Sequence, residues 1–245
     1  MKRRVKRCAP WGLTMRIELL KEVDSTNDYI KKFVDGGENV IVCAERQAKG
    51  RGTKGRSFLS EAGGVYLSAL FFYDNLPARE AFRVMTHAAV AVCRTVRSFG
   101  VEPAIKWPND VLIGGKKCCG ILIENKLLGD KIQASIIGIG VDVSNNLSGL
   151  EKVAHSLADF LKDCPSVEEV RTTLIREICK ESTFEEYLSF VGFLGREITV
   201  LQNGESYLAV AQRILPDGRL EIVKDGEKIA ISSAEISIRI KEEQS

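Results

Sequence analysis

The order of apolar and polar residues divides the chain into a long part with strands and helices and a shorter part with strands only. Short apolar-rich runs predict strands, whereas an apolar residue at every third or fourth position predicts a helix. In the long part this gives strands at residues 16–23, 40–45, 65–73, 111–113, 116–124 and 132–143, and helices at 25–34, 77–99, 151–162 and 166–188.

Short strands separated by turn residues fill the C-terminal part. Asn203-Gly204, Pro216-Asp217-Gly218 and Asp225-Gly226 are typical of tight turns. The strands between them are predicted at 197–201, 207–215, 220–223, 228–231 and 236–240. We therefore predict three segments: a basic, disordered extension over 1–15, a catalytic domain over 16–190, and a small β-barrel over 191–245.

The net charge of +2 conceals an uneven distribution. The first 14 residues carry five Lys or Arg and no acid, which leaves 30 basic against 33 acidic residues in the rest of the chain. A mildly acidic body argues against a general nucleic-acid binder. No apolar run approaches the roughly 18 residues that cross a bilayer, and the basic start lacks the apolar segment of a secretion signal. We expect a cytoplasmic protein with neither nucleic acid nor a membrane as partner.

The seven cysteines are odd in number and include no C-x-x-C spacing. This pattern predicts reduced thiols rather than a disulfide framework or a zinc site. Cys118 and Cys119 are adjacent, which is poor geometry for a shared disulfide, and we expect both to be buried strand residues.

A glycine-rich basic loop is the first candidate for chemistry. Residues 50–56 read Gly-Arg-Gly-Thr-Lys-Gly-Arg. Glycine allows a ligand to approach the backbone closely, and arginine offers paired donors that match carboxylate and phosphate. The loop therefore predicts an anion site, although a solvated basic turn has the same composition.

A second candidate stretch reads Lys-Trp-Pro-Asn-Asp over residues 106–110. Pro108 favours an extended conformation at Trp107. The following Gly114-Gly115 predicts a two-residue hairpin turn with positive φ at both positions. Alternation along the returning strand places Lys117 on one face with Cys119, Ile121 and Ile123, where a lysine needs an anion as partner.

Two further positions have more than one interpretation. Ser25 is placed to cap the helix at 25–34, with Asp28 as the acid of a capping box. The same exposed N–H groups also bind polar ligand groups, and the sequence favours neither role. Gly138 and Gly140 alternate along the last core strand, where a ligand or a neighbouring backbone has room to approach.

Taken together, these motifs resemble the biotin–protein ligases. The resemblance spans about residues 16–240 and rests on several motifs in the family's order. They are Asp-Ser-Thr-Asn at 24–27, Gln47 before the Gly-Arg-Gly loop, Lys-Trp-Pro-Asn-Asp at 106–110, Lys-x-x-Gly-Ile-Leu at 117–122, Gly-Ile-Gly at 138–140 and the C-terminal barrel. The resemblance implies an α+β fold: a mixed β-sheet flanked by helices, related to the class II aminoacyl-tRNA synthetase core, and an SH3-like barrel. About 15 residues precede the first predicted strand, too few for the helix-turn-helix that some members carry.

The family's chemistry joins biotin to ATP, giving biotinyl-AMP and pyrophosphate, and then transfers the biotinyl group to a lysine of a carrier domain. By resemblance, Lys117 and Arg51 are catalytic, with Lys117 between the biotin carboxylate and the α-phosphate. The implied biotin contacts are Ser25, Thr26, Asn27, Gln47, Arg51, Gly52, Thr53 and Lys117. The implied ATP or adenylate contacts are Arg51, Arg56, Lys106, Trp107, Asn109 and Asp142. The implied cofactors are ATP and Mg²⁺, and the implied partner is the biotin carboxyl carrier domain of acetyl-CoA carboxylase or a related enzyme, served by a monomer or a homodimer.

Two positions depart from the family pattern. Thr53 stands where arginine is usual, and a hydroxyl cannot replace five donors on a long stem. We therefore expect the loop to close less firmly and to release more activated biotin, unless Lys54 compensates. Asp142 stands where asparagine is usual. A carboxylate beside phosphates needs a cation between them, so Asp142 is a candidate Mg²⁺ ligand.

Two other functions remain open from the sequence. A lipoate or octanoate ligase or transferase shares the expected core fold and also modifies a lysine. A nucleic-acid-binding module is the more remote alternative, since no aromatic residues alternate with the cations of the loop.

Overall fold

The computed structural model describes residues 4–7, 14–150, 154–202, 204–233 and 236–240, with backbone alone for 4–7, 14 and 236–240. Its strands are β1 (Arg4–Arg7), β2 (Thr14–Val23), β3 (Val40–Gln47), β4 (Gly64–Pro77), β5 (Pro103–Lys106), β6 (Asp110–Ile113), β7 (Lys116–Leu128), β8 (Lys131–Asp142), β9 (Glu197–Gln202), β10 (Glu205–Ile214), β11 (Leu220–Lys224), β12 (Glu227–Ile231) and β13 (Ile236–Ile240). Its helices are α1 (Thr26–Ile30), α2 (Phe82–Arg97), α3 (Val167–Glu177) and α4 (Phe184–Ser189). No helix in these ranges is long and apolar enough to cross a membrane.

The larger sheet has eight strands in the order β1-β2-β3-β4-β8-β7-β6-β5. β2 and β3 are parallel and are joined through α1, and the other neighbours are antiparallel. Helices cover both faces. Val40 and Val42 pack in the cluster that contains Ile30 of α1, while Ile41 and Cys43 pack in the cluster that contains α2. Burial on both faces explains why β3 is apolar at consecutive positions. The predicted mixed sheet flanked by helices is confirmed.

The smaller sheet is antiparallel, with the order β12-β11-β10-β9-β13. Asp225 and Gly226 connect β11 to β12 with φ values of 52° and 83°. These values are those of a type I′ hairpin, as the Asp-Gly pair predicts. Gly114 and Gly115 form the same kind of turn between β6 and β7, with φ values of 54° and 79°.

The predicted helix over 151–162 is wrong for its described part, while residues 151–153 lie outside the described ranges. A single 3-10 turn, Leu157–Asp159, is present there, capped by Ser156. The preceding residues lie along the start of β7, where His155 N donates to Lys117 O at 2.9 Å. Pairing with a strand therefore replaces the local helical preference.

The predicted helix over 166–188 is two helices. Ser166 caps α3 with the expected capping box, but α3 ends at Glu177. Thr183 then caps α4, because its Oγ1 accepts from Glu186 N at 3.1 Å. The interruption contacts α2, where His87 Nε2 lies 2.9 Å from Ile178 O. A second capping residue and these contacts with α2 divide the segment.

The predicted disordered extension over residues 1–15 is described only at 4–7 and 14–15, while 1–3 and 8–13 lie outside the described ranges. The structure pairs Arg4–Arg7 with residues 14–17 of β2 as an antiparallel ladder, where a disordered extension was expected. The boundary predicted between residues 190 and 191 stays a prediction. One continuous apolar cluster includes both Ile105 near the first sheet's edge and Ile198 of the second sheet.

A hydrogen bond joins the stretch 106–110 to the smaller sheet. Trp107 is buried, and its Nε1 donates to Gly218 O at 2.9 Å. Gly218 has a φ of 89°, and a Cβ there would lie 2.5 Å from the ring of Phe82. That ring packs edge-on against Tyr187 of α4, whose hydroxyl donates to Pro108 O at 3.2 Å. The turn before β11 thus needs glycine for both its conformation and its contact.

We expect Gly218→Ala to lower the free energy of unfolding more than Gly226→Ala does. Both positions have positive φ, but a Cβ at Gly226 meets nothing within 4 Å. The control, Gly226→Ala, should lower the free energy of unfolding by about 1 kcal/mol through backbone strain. Gly218→Ala should lower it by about 2–4 kcal/mol, because the Phe82 ring must also move. Urea titrations of both variants measure the difference, and equal losses would show that the Phe82 contact has no energetic role.

Candidate functional site

A cavity of about 270 Å³ lies between the loop at 50–58, the start of α1 and the central strands β7 and β8. All the site residues predicted from the sequence line it except Asp142. They are Ser25, Thr26, Asn27, Gln47, Arg51, Gly52, Thr53, Arg56, Lys106, Trp107, Asn109 and Lys117. The structure therefore brings residues from four separate segments together, and their individual roles remain predictions.

Three polar side chains that line the cavity, Thr26, Asn27 and Gln47, form its floor together with Ser68, which lies beneath them. Gln47 Oε1 accepts from Thr26 N at 2.8 Å and from Thr26 Oγ1 at 3.0 Å. Ser68, which is fully buried on β4, donates to Asn27 Oδ1 at 2.6 Å and lies 2.8 Å from Thr26 Oγ1. Buried hydroxyl and amide groups are costly without partners, so this network holds them in place. We call Thr26, Asn27, Gln47 and Ser68 the polar floor.

The two glycines of β8 leave room for side chains of the protein itself. A Cβ at Gly138 would lie 2.2 Å from Asn27 Oδ1, and one at Gly140 would lie 2.5 Å from the ring of Phe58. The sequence predicted the approach of a ligand or a neighbouring backbone at these positions. Both glycines line the cavity, with Asn27 and Phe58 against them, and the approach of a ligand there stays a prediction. The sequence analysis missed Phe58 and Ser68 as site residues. Alternation along β4 places Ser68 among apolar neighbours, and that isolated polar residue was the available signal.

The basic loop is closed by hydrogen bonds within itself. Gly52 N donates to Arg56 O at 2.7 Å, and Arg56 N donates to Thr53 O at 3.2 Å. Lys54 and Gly55 have φ values of 57° and 72°, the left-handed conformation that glycine permits at low cost. The loop thus folds back over the cavity as a compact turn.

Gly50 allows the loop to approach the chain that leaves it. A Cβ at Gly50 would lie 2.2 Å from Phe58 O and 2.4 Å from Ser60 Oγ. Ser60 Oγ in turn accepts from Gln47 Nε2 at 2.9 Å, so this contact reaches the polar floor. The first glycine of the loop is therefore required by packing against neighbouring atoms rather than by a special φ.

Arg51 contacts two acidic side chains that the sequence analysis did not assign to the site. Its guanidinium donates to Asp28 Oδ1 at 2.6 Å and to Glu124 Oε1 at 3.4 Å. The predicted capping box at Ser25 is only half present. Ser25 Oγ accepts from Asp28 N at 3.4 Å, but the Asp28 carboxylate binds Lys31 and Arg51 instead of the helix start.

Lys117 lies on the opposite face of β7 from the one that the sequence predicted. The pairing with β6 shifts by one residue between Val111 and Leu112, which leaves Cys118 as an extra residue of a β-bulge. Cys118 and Cys119 are consequently both buried, as predicted. A Cβ at Gly120 would lie 3.1 Å from Lys117 Nζ, so the lysine shares a face with Gly120 and not with Cys119. The bulge reverses the alternation that the prediction assumed.

The partner of Lys117 is Asp110. Lys117 Nζ lies 2.7 Å from Asp110 Oδ1, and the lysine is about one-third exposed at 34%. The ammonium group also lies 5.9 Å from the centre of the Phe58 ring, within the range of a cation–π contact. The sequence predicted Lys117 among apolar residues. In the structure it is partly exposed at the cavity and paired with a carboxylate.

Asn109 holds the stretch 106–110 on β7. Its Nδ2 donates to Ile121 O at 2.9 Å, and Ile121 N donates to Asn109 O at 3.1 Å. This reciprocal pair fixes the loop beside Lys117. Arg56 and Lys106 also line the cavity and add positive charge to its mouth. The arrangement suits a ligand with a hydrogen-bonding group at one end and an anion at the other.

Asp142 lies away from the cavity lining. It is 4% exposed, and Asn145 Nδ2 donates to its Oδ1 at 2.7 Å. Burial raises the pKa of Asp142 to about 6, although the Asn145 hydrogen bond and the positive charge of Lys117 act in the opposite direction. Among the residues described by the structure, no three His, Cys, Asp or Glu side chains come close enough to hold a metal ion. Asp142 is thus not among the residues that line the cavity, and its place at the nucleotide phosphates stays a prediction.

The charge of Asp142 should destabilise the protein at neutral pH. The unfolded carboxyl has its ordinary pKa of 3.8, so between about pH 4 and 6 the folded protein holds a proton that the unfolded chain has lost. Stability from this group therefore falls as pH rises through that window. We expect Asp142→Asn to raise the free energy of unfolding by about 1–3 kcal/mol at neutral pH and by little at pH 4.

Urea titrations across this pH range test the expectation, with Asp35→Asn as the control because the Asp35 side chain is 93% exposed. A gain from Asp142→Asn that is the same at every pH would contradict the assigned cause.

Comparison with known proteins agrees with the geometry. Residues 19–142 match the model of a family described as the Biotin/lipoate A/B protein ligase family. The chain is 26% identical to the biotin–[acetyl-CoA-carboxylase] ligase of Mycobacterium tuberculosis, over 90% of this chain and 88% of that protein. It is 31% identical to the bifunctional ligase/repressor BirA of Bacillus spizizenii, over 62% of this chain and 48% of that protein. The chain thus spans about half the length of this Bacillus relative.

A solved structure shows the same similarity. The biotin protein ligase from Aquifex aeolicus in complex with biotin and ATP superposes with a TM-score of 0.75 at 27% identity, and the match covers 92% of this chain and 99% of that one. The match of the family model over half of the sequence, together with the shared fold, shows that this chain belongs to the Biotin/lipoate A/B protein ligase family.

Proposed function

We propose that this protein is an ATP-dependent biotin–protein ligase. It joins the biotin carboxylate to the α-phosphate of ATP, which gives biotinyl-AMP and releases pyrophosphate. It then transfers the biotinyl group to a lysine of a biotin carboxyl carrier domain and releases AMP. The names of the Mycobacterium and Aquifex relatives support this assignment.

The polar floor carries the choice of biotin over lipoate or octanoate. Thr26, Asn27 and Gln47 bring hydroxyl and amide groups to one end of the cavity, and Ser68 is hydrogen-bonded behind them. A biotin ureido group offers two N–H donors and a carbonyl acceptor to such a surface. A dithiolane ring or an alkyl chain offers none, so it would bury these polar groups without new partners. Sites built to hydrogen-bond a substrate discriminate strongly against analogues that lack the matching groups.

The mouth of the cavity supplies the charge that the first step needs. Two anions must meet when the biotin carboxylate attacks the α-phosphorus, and negative charge moves onto the departing pyrophosphate. Positioned cations reduce this repulsion and stabilise the transition state without a protein nucleophile. Lys117 is held by Asp110 beside the cavity and is the group that we assign to the carboxylate and the α-phosphate. Arg51, Arg56 and Lys106 are assigned to the remaining phosphate charge.

The chain's own residues do not fit a protein-built Mg²⁺ site. Asp142 is buried away from the cavity lining, and no cluster of three acidic, His or Cys side chains occurs within the described ranges. A magnesium ion usually keeps several waters and binds through substrate phosphates with at most one or two protein carboxylates. In this proposal the ion therefore arrives with ATP, and the protein contributes the surrounding cations.

The second step needs access for one amine and exclusion of water. A lysine amine of the carrier attacks the carbonyl carbon of biotinyl-AMP, AMP leaves, and the amine loses a proton. Water would consume the same anhydride, so the loop at 50–58 serves to cover the intermediate until the carrier docks. The carrier domain of acetyl-CoA carboxylase is the partner we propose, and whether the ligase acts as a monomer or a homodimer remains a prediction.

ATP–pyrophosphate exchange on the purified protein tests the substrate. We expect label to pass from pyrophosphate into ATP when biotin is present, and not with lipoate or octanoate. Exchange with either of the other acids would keep the ligase chemistry but overturn the substrate. Absence of exchange with all three acids would contradict adenylation by this protein.

The role of the polar floor has a matched pair of variants. Ser68 and Ser135 are both fully buried in the large sheet, and each donates to an Asn Oδ1 at 2.6 Å. Neither serine lines the cavity, but Ser68 contacts Thr26 and Asn27 of the lining, whereas Ser135 contacts Asn125, which lies outside it. Ser68→Ala removes the hydrogen bond to Asn27. We expect it to raise the KM for biotin by about fivefold to tenfold and to leave the KM for ATP nearly unchanged. A similar rise in the KM for biotin in Ser135→Ala would show that the effect comes from general destabilisation rather than from the polar floor.

A further inference from the structure

Arg51 joins the loop at 50–58 to two other elements of the structure through ion pairs. Arg51 NH1 lies 2.6 Å from Asp28 Oδ1 on α1, and NH2 lies 3.4 Å from Glu124 Oε1 on β7. The other hydrogen bonds of residues 52–56 described above lie within the loop itself. Arg51 thus bridges the loop to α1 and β7.

Asp28 and Glu124 are also held in place by side chains other than Arg51. Lys31 Nζ lies 2.7 Å from Asp28 Oδ1 and 3.1 Å from Glu124 Oε1, and Asn27 Nδ2 donates to Glu124 Oε2 at 2.9 Å. Burial alone would raise the pKa of both carboxyls, but these hydrogen bonds and the nearby cations lower the pKa of each below its ordinary value. Both side chains are therefore anions across the physiological range, which is the state that binds a guanidinium.

The pairing is accessible enough to open. The exposed fractions of Arg51, Asp28 and Glu124 are 41%, 48% and 27%. Ion pairs with this exposure are weak, and added salt weakens them further. Neither acid lines the cavity, so neither is placed to contact a ligand there.

We propose that Asp28 and Glu124 are positioning residues that form a latch for Arg51 and so keep the loop closed over the activated intermediate. The retention of the intermediate rests on the proposed function, whereas the closure of the loop does not. Glu124 also binds Asn27 of the polar floor, so the latch and the ligand-binding end of the cavity share one carboxylate. A loop held in this way opens through a small change in electrostatic balance rather than through unfolding of a helix or strand.

Limited proteolysis of the ligand-free protein tests the closure. Trypsin cleaves after Arg51, Lys54 and Arg56, all within the loop. Asp28→Asn and Glu124→Gln each remove one charge from the latch, and the control Asp35→Asn removes one from the exposed pair with Lys126. Loss of an exposed ion pair should speed cleavage of the loop by about twofold to fivefold in both latch variants and leave the control near the wild-type rate.

Two further measurements separate a latch from a general loss of structure. Raising the salt concentration should speed loop cleavage of the wild type more than that of the latch variants, because they have already lost part of the screened interaction. Asp28→Glu, which keeps the charge, should restore slow cleavage. Equal cleavage of Asp28→Asn, Glu124→Gln and Asp35→Asn would overturn the latch, whatever reaction the protein catalyses.

Release of the intermediate tests the consequence. With biotin, ATP and an unrelated bystander protein, the latch variants should biotinylate the bystander severalfold faster than the wild type while ATP–pyrophosphate exchange continues. Faster cleavage without more bystander labelling would refute retention of the intermediate by the latch. If the wild type shows no biotin-dependent exchange, the proposed function fails, and proteolysis still decides whether the latch exists.

Discussion

The burial of hydrogen-bonding side chains beneath α1 is the constraint on which the rest of the site depends. Thr26, Asn27, Gln47 and Ser68 come from three segments of the chain, and each satisfies another. Such a network is stable only while every member has a partner. The absence of a side chain at Gly138 leaves the space that Asn27 needs. The polar floor therefore forms only where the strands pair in this register, α1 lies in this position and glycine occupies position 138.

Two cations of the site, Lys117 and Arg51, are held by pairing with carboxylates. Lys117 is paired with Asp110, and Arg51 with Asp28 and Glu124, so positive charge is balanced by nearby carboxylates. Partial removal of water from a paired cation and carboxylate costs less free energy than its removal from a group of like charges. An arriving anion has to compete with these carboxylates, which makes the response of the site dependent on ionic strength as well as on shape.

The sequence predicted the fold class, and all but one of its predicted site residues line the cavity, because those features depend on local patterns and on short motifs. Apolar runs identified β3, β4 and β8, and a Gly-Gly pair and an Asp-Gly pair identified two hairpin turns. The face of Lys117 was missed because a one-residue bulge reverses alternation and leaves no local signal. Asp28 and Glu124 were missed as partners of Arg51 because they are 23 and 73 positions away from it in the chain. Long-range contacts between ordinary charged residues carry no motif.

The hydrogen bond from Trp107 to Gly218 joins residues that are 111 positions apart. A ribosome makes the stretch 106–110 long before it makes the turn that holds Trp107. Closing so long a loop is slow, and its entropy cost is recovered only after the distant partner has folded. The emerging chain therefore carries the stretch 106–110 well before it carries the turn that holds Trp107 in place.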